Sequence, residues 1–366
     1  MFRTKVTRTF TLAGFASVGK LSHVSCGVLP MMALCAAAAA WGQTAPVFGG
    51  PHHRPLYNPA TSPSIKPSAS RAAGPQLSEP QAGPSYQFIT INIPGATYAV
   101  ADGINNDGLV SGYYLDSSSV AHGFVWQNGA LRTVNYPGAA YTYLYNVNNQ
   151  GVVIGYHGNG TTNHTVTYSV ESRKWTALPD IPGYPANEGY GINDAGFAVG
   201  NAFLSSTSSY PSNAPAAWIW DPTTLSYSFF AVPGSAEYST EPNGINDKGQ
   251  VAGWYADSSG FYHGFLKEYG TYTTVDFPGA PYTFPDGLNN SGVIQGQILT
   301  DSYVAEGFTA TSGGVFTVVN YPGLTMTALV GINDHGDVCG GYSEDSNPSV
   351  YLAFIALRSD PILLEP

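Results

Sequence analysis

The sequence predicts an all-β fold, a six-bladed β-propeller of four-stranded antiparallel blades closed by an N-terminal strand that joins the last blade. Three observations lead there. Turn-forming residues abound while charged residues are only 10 % of the chain. One signature recurs six times at a mean interval of about 45 residues, a period typical of propeller blades. The strand inventory is also offset by one: a spare strand precedes the first signature and one is missing after the last.

Composition sets the class. With 43 Gly, 27 Pro and 25 Tyr, the chain suits short strands and tight turns, because Gly and Pro interrupt helices while Tyr and Thr favour pleated surfaces. After the first 45 or so residues no long stretch carries apolar side chains at helical spacing.

The amino end reads as an export signal, assigned to residues 1–42. Basic Arg3, Lys5, Arg8 and Lys20 precede an apolar run at 28–40 (VLPMMALCAAAAA) and small residues, with cleavage expected between 40 and 45. The run is too short to span a bilayer comfortably, and Cys35 lacks the leucine three positions earlier that a lipoprotein signal wants. The expected address is secreted, extracellular or periplasmic, with no membrane span in the mature chain. Residues 43–85 are dense in Pro, Ser and Ala and read as a disordered linker, in which His52 and His53 are solvated. The propeller is assigned to 86–360 and a short tail to 361–366. Cys26 and Cys35 fall in the signal, so Cys339 remains alone; no disulfide or metal-type Cys/His spacing exists, and no metal or cofactor is expected.

The repeat is Gly-Ile-Asn-x-x-Gly-x-x-x-Gly, found at 103–112 (GINNDGLVSG), 146–155 (NVNNQGVVIG), 191–200 (GINDAGFAVG), 244–253 (GINDKGQVAG), 287–296 (GLNNSGVIQG) and 331–340 (GINDHGDVCG). Four strands are read in each unit. In the first unit, one ends at Gly-Ile-Asn, a second spans 109–114, a third 122–127 and a fourth 131–136, with Asn-Gly-type turns between them. Fourth-strand segments ending in Pro-Gly occur at 88–96, 131–139, 175–184, 229–235, 272–280 and 316–324, and the first of these precedes the first signature. The last unit ends on a third strand, 352–358 (LAFIALR). A closed ring explains the offset, because the early strand then covers the exposed edge of the last blade.

These motifs resemble the bacterial extracellular repeat family known as HAF repeats, named for a His-Ala-Phe triplet that follows a Gly-x-Asn-x-x-Gly-x-x-x-Gly stretch. The triplet stands as His122-Gly123-Phe124 and His263-Gly264-Phe265. It departs to Glu306-Gly307-Phe308, Ala216-Ala217-Trp218 and Leu352-Ala353-Phe354. The resemblance covers roughly 88–358 and implies an exported protein of propeller-like organisation, without implying an activity.

Candidate residues divide into architecture and site. Asn105, Asn148, Asn193, Asn246, Asn289 and Asn333 hold one position in every unit and are expected to close turns through Asx bonds. Asp116, Asp257, Asp301 and Asp345 read as turn residues, His122 and His263 as strand histidines with bonded rings, and Cys339 as a buried small residue. Function is expected where the units differ, in the loops that follow the fourth strands. Those segments carry Tyr98, Tyr141, Tyr143, Tyr145, Tyr190, Glu237, Tyr238, Tyr282 and Phe284 as ligand-binding candidates, and the third unit adds a longer loop near 203–215. Aromatic faces beside carboxylates and amides suit a sugar or peptide.

From Tyr86 onward the only basic residues are Arg132, Arg173, Lys174, Lys248, Lys267 and Arg358, set against all the carboxylates except Glu79. Such a field repels a phosphate backbone, so nucleic acid is excluded as a partner. No nucleophile elbow, zinc motif or phosphate loop is present. The expected function is therefore a secreted, monomeric, non-catalytic binding module for carbohydrate or a cell-surface partner. The alternative is a carbohydrate-active enzyme, a glycoside hydrolase or polysaccharide lyase, using Asp102, Asp286, Glu188 and Glu241 as acid and base.

Overall fold

A computed structural model describes residues 84–204, 216–237, 239–300, 304–324, 326–344 and 347–359. The export-signal and linker assignments, Tyr238, Asp301, Asp345 and most of the long third-unit loop lie outside these residues. Among the described residues every regular element is a β-strand, and no helix is long and apolar enough to cross a membrane.

After a leading strand β1 (Tyr86–Ile91), the strands fall into consecutive antiparallel sets. The first set is β2 (Tyr98–Ile104), β3 (Val110–Leu115), β4 (Ala121–Gln127) and β5 (Ala130–Thr133). The second is β6 (Tyr141–Val147), β7 (Val152–Gly158), β8 (Asn163–Ser169) and β9 (Lys174–Ala177). Next come β10 (Ala186–Ile192), β11 (Ala198–Phe203), β12 (Ala216–Asp221) and β13 (Ser226–Phe230), then β14 (Glu241–Ile245), β15 (Val251–Ala256), β16 (Tyr262–Glu268) and β17 (Thr271–Val275). They are followed by β18 (Tyr282–Leu288), β19 (Ile294–Leu299), β20 (Ala305–Ala310) and β21 (Phe316–Val318). The last three strands are β22 (Met326–Ile332), β23 (Val338–Glu344) and β24 (Asn347–Arg358). Strand β1 pairs antiparallel with β24, Phe88 opposite Ala356 and Thr90 opposite Phe354, and the Ser359 amide continues the pairing by donating to the Ser85 carbonyl.

The signature explains how the first two strands of each set are joined. Asn105 donates its amide to the Leu109 carbonyl and accepts that of Gly108, while its side-chain Oδ1 accepts the amides of Asp107 and Leu109. This is an Asx-stabilised hairpin turn. The last glycine of the signature is required by a bulge. Pairing between β2 and β3 shifts register between Ala101 and Gly103, and a Cβ on Gly112 would overlap the Val100 carbonyl oxygen.

The core is divided between the sets. One buried cluster joins the last set to the first through Ile104, Phe124, Cys339 and Ile355, and another joins the first to the second through Val125, Leu144 and Val153. The third set meets the second through Ile154 and Trp218 and the fourth through Val199 and Phe265. The fifth meets the fourth through Ala252 and Phe308 and the sixth through Val319, just after β21, with Leu329 and Phe354. The last residue of the triplet, or Val166 at the corresponding place on β8, supplies the central anchor of each set: Phe124, Val166, Trp218, Phe265, Phe308 and Phe354 are all fully buried. Each of the aromatic anchors removes enough apolar surface from water to contribute about 1.5–3 kcal/mol.

The histidines of the triplet tie the first and fourth sets. His122 reaches Asp116 Oδ2 at 3.2 Å and Asn135 at 2.8 Å, and His263 reaches Asp276 Oδ2 at 2.7 Å and Asp257 Oδ2 at 3.5 Å. Each ring therefore joins the turn after the second strand to the segment that follows the fourth.

Candidate functional site

The first strands β2, β6, β10, β14, β18 and β22 contact one another in cyclic order, β22 returning to β2. Where they leave for the Asn turn, they touch through backbone. A Cβ on Gly103 would lie 2.6 Å from the Val147 nitrogen, and one on Gly244 2.6 Å from the Gly287 Cα. The first glycine of the signature therefore lets neighbouring strands converge at this level.

Beyond that constriction lie two tiers of polar side chains. In the first, Asn105 Nδ2 donates to the Asn148 carbonyl, Asn148 to Asn193, Asn193 to Asn246, Asn246 to Asn289, Asn289 to Asn333 and Asn333 to Asn105, at 2.9–3.2 Å. In the second, the amide of Asn106 donates to Asn149 Oδ1, that of Asn149 to Asp194, Asp194 to Asp247, Asp247 to Asn290, Asn290 to Asp334 and Asp334 to Asn106, at 2.6–2.9 Å. Both runs return to their starting residue. Residues of both tiers line a concavity open to solvent. The sequence reading overlooked the second tier, although its signal was present: the residue after the signature asparagine is Asn or Asp in all six copies.

The aromatic candidates lie along the first strands, and here the sequence reading needs correction. Tyr98, Tyr141, Tyr143, Tyr145, Tyr190, Tyr282 and Phe284 belong to strands, not loops. Tyr98, Tyr143, Tyr190 and Phe284 are at most 4 % exposed, while Tyr141, Tyr145 and Tyr282 are half-buried. The first strands are enclosed by neighbours on both faces, so their aromatic rings become core. Tyr98 stacks on Tyr351 with centroids 4.9 Å apart, Tyr113 meets Tyr143 edge-on at 4.8 Å, and Tyr145 meets Tyr190 at 5.3 Å. Most of these rings fall into one cluster shared by several sets, which also takes in Trp254, Tyr262 and Met326. Glu237 is exposed, outside that cluster.

The four carboxyl candidates also lie on first strands. Asp102, Glu188 and Asp286 are buried, and Glu241 is half-buried. Glu188 is fully enclosed. Asn163 Nδ2 donates to its Oε1 at 2.6 Å, the Tyr190 hydroxyl donates to its Oε2 at 3.0 Å, and the Tyr141 hydroxyl donates in turn to Asn163 Oδ1 at 2.7 Å. Burial pushes the Glu188 carboxyl up to about 8, with the nearby Glu241 charge adding to the rise and the two hydrogen bonds opposing it. Burial likewise holds the hydroxyls of Tyr98, Tyr113, Tyr145, Tyr156 and Tyr190 well above their ordinary value. Gln297 donates to Asp286 Oδ2 at 3.1 Å. The structure thus brings Glu188 and Glu241 within electrostatic reach of each other, with Asp102 acting on Tyr98, Tyr113 and Tyr145. Among the described residues no group of three or more His, Cys, Asp and Glu could hold a metal ion. Cys339 is fully buried, and burial pushes its thiol up.

No family model matches the chain, and no curated protein matches it. Among solved structures it is similar to a protein of unknown function from Dyadobacter fermentans, at 9 % identity over 74 % of this chain and 98 % of that one, with a TM-score of 0.49. It is similar to virginiamycin B lyase from Staphylococcus aureus at 12 % identity over 75 % and 100 %, TM-score 0.42. It is also similar to the Aleuria aurantia lectin in complex with Fucα1-6GlcNAc, at 9 % identity over 73 % and 98 %, TM-score 0.42.

Proposed function

We propose that the chain is a secreted, HAF-type, six-bladed propeller, sealed by β1 against β24, that serves as a non-catalytic binding module for carbohydrate or a cell-surface partner. Six blades are supported by the cyclic contacts of the first strands and by the two returning hydrogen-bond tiers. The HAF assignment draws on the equivalent roles of His122 and His263 and on the buried final residue of the triplet. Export rests on the basic-then-apolar amino end.

The binding reading rests on one observation. Buried polar oxygens are left without a hydrogen-bond partner among the described residues: Asn201 Oδ1 on β11, Thr165 Oγ1 on β8 and Gln295 Oε1 on β19. Buried polar atoms normally have a partner, and unsatisfied ones cost about 1–3 kcal/mol each. A polar ligand that reaches these atoms supplies what they lack. A glycan-array screen of residues 84–366, run beside turnover assays on polysaccharides, tests this reading. Selective binding without turnover is the expected result, and an array with no selective signal refutes it.

A second reading, a secreted glycoside hydrolase or polysaccharide lyase, is favoured by one specific feature. Glu188 is held protonated near neutral pH close to Glu241, and such a divergence of acidities is what general acid and base need. Turnover abolished by Glu241→Gln would establish that reading over the first.

A further inference from the structure

Glu188 on β10 is surrounded by acids. The groups whose charges act on it or answer to it are Tyr141 and Tyr145 of β6, Tyr156 of β7, Tyr190 of β10 itself and Glu241 of β14. Strand β8 contributes the neutral Asn163, and β11 contributes Asn201, which stands directly opposite Glu188 in the β10–β11 register. Directly paired residues project from the same face of a sheet with Cβ atoms about 5 Å apart. Asn201 is 1 % exposed; its Nδ2 donates to the carbonyl of Thr240, the residue before Glu241, and its Oδ1 accepts nothing among the described residues. The Glu188 and Glu241 carboxyls and the buried Asn201 carbonyl oxygen are therefore neighbours between the third and fourth sets, and all three are acceptors once Glu188 is ionised.

We propose that this cluster receives a primary ammonium group of the ligand, held by Glu188, Glu241 and Asn201 Oδ1. The inference rests on the binding-module reading and narrows it to amine-bearing ligands, with an amino-sugar glycan as the carbohydrate form. An ammonium offers three N–H donors and no acceptor, which suits two ionised carboxyls and the Asn201 carbonyl oxygen. A calcium ion asks for six to eight oxygen ligands, a demand this set does not meet. Of the two carboxyls, Glu241 is half-buried and reaches solvent, while Glu188 is fully buried. Because burial keeps Glu188 protonated near neutrality, an arriving ammonium displaces that proton to solvent as the ion pair forms.

The probes are a glucosamine tetramer with free amines and its fully N-acetylated counterpart, titrated calorimetrically into residues 84–366 at pH 6. The free-amine tetramer is expected to bind about tenfold or more tightly than the acetylated one, and Glu188→Gln and Glu241→Gln each to erase that preference. Glutamine is isosteric and keeps partners for Asn163 and Tyr190; should Glu188→Gln fail to fold, the half-buried Glu241 variant still carries the test. Equal affinity for both tetramers overturns the ammonium site and leaves carbohydrate binding standing. Preference for the free amine that survives both variants overturns it too, by placing the amine elsewhere. Absence of any glycan binding, tetramers and array alike, removes both readings. Calcium chloride that raises the melting temperature of the wild type but not of Glu188→Gln overturns the proposal in favour of a metal site.

Discussion

At the scale of single residues, two groups carry distinct loads. Asn289 accepts the amides of Ser291 and Val293 and donates to the Asn333 carbonyl, so one buried side chain closes its own turn and clasps the next set. With net contributions near 1 kcal/mol per bond, Asn289→Ala is expected to destabilise by about 2–4 kcal/mol in urea unfolding. Glu188 acts through protons. Its folded value of about 8 lies above the ordinary 4.5, so between those limits the native state keeps a proton that the unfolded chain has released. Stability contributed in this way is full below pH 4.5 and is lost as pH rises through 8, by an amount on the order of 3–5 kcal/mol. The unfolding free energy measured across pH 5–9 should fall steeply for the wild type, and Glu188→Gln should remove most of that slope. A slope unchanged in the variant would assign the pH dependence to another group. His263, raised chiefly by its hydrogen bond to Asp276, contributes in the same sense over the range around its ordinary 6.5, at a half-buried site where solvent weakens the effect.

At the scale of elements, the third strand of each set supplies its central anchor. Phe265 sits fully buried on β16, between sets. Phe265→Ala leaves a cavity that neighbouring sheets, each held by its own ladder, fill only in part; a loss of about 3–5 kcal/mol is expected in denaturant melts. The bulge opposite the last signature glycine behaves differently. A Cβ on Gly253 would overlap the Glu241 carbonyl oxygen, which is backbone and has no rotamer to escape into. Gly253→Ala should therefore cost more than its single added methyl suggests, and should disturb the position of Glu241. The first strands also show why aromatic residues were misplaced by pattern alone. In β2 and β10 all seven residues are buried, so the polar–apolar alternation that marks a half-exposed strand is missing.

At the scale of the whole molecule, the pairing of β1 with β24 joins the two ends of the described chain. Tyr86 opposes Arg358, and Ser359 already bonds to Ser85, a geometry that a short hairpin turn would satisfy. A circular permutant linking Ser359 to Ser85 through a short Gly-containing turn, with new termini opened between Ile91 and Tyr98, is expected to fold with a melting temperature within a few degrees of the parent. Deleting 84–91 instead exposes the edge of β24 and should yield aggregation or a markedly lower melting temperature. A deletion as stable as the parent would show that β1 is dispensable to the ring.

The sequence by itself determined the repeat, the all-β class, the four-strand unit and the surplus early strand. Each of these is a local matter: glycine and asparagine chemistry at fixed offsets dictates a turn wherever it occurs. The second polar tier was legible too, in the invariant Asn or Asp beside the signature asparagine. Tertiary structure alone decided that Tyr98, Tyr143, Tyr190 and Phe284 are core, that Asn163 clasps Glu188, and that Asn201 is left with a bare acceptor beside it. These facts arise from strands of different sets meeting near one axis. Burial, and with it the acidity of Glu188, depends on what surrounds a side chain in space, which spacing along the chain does not encode.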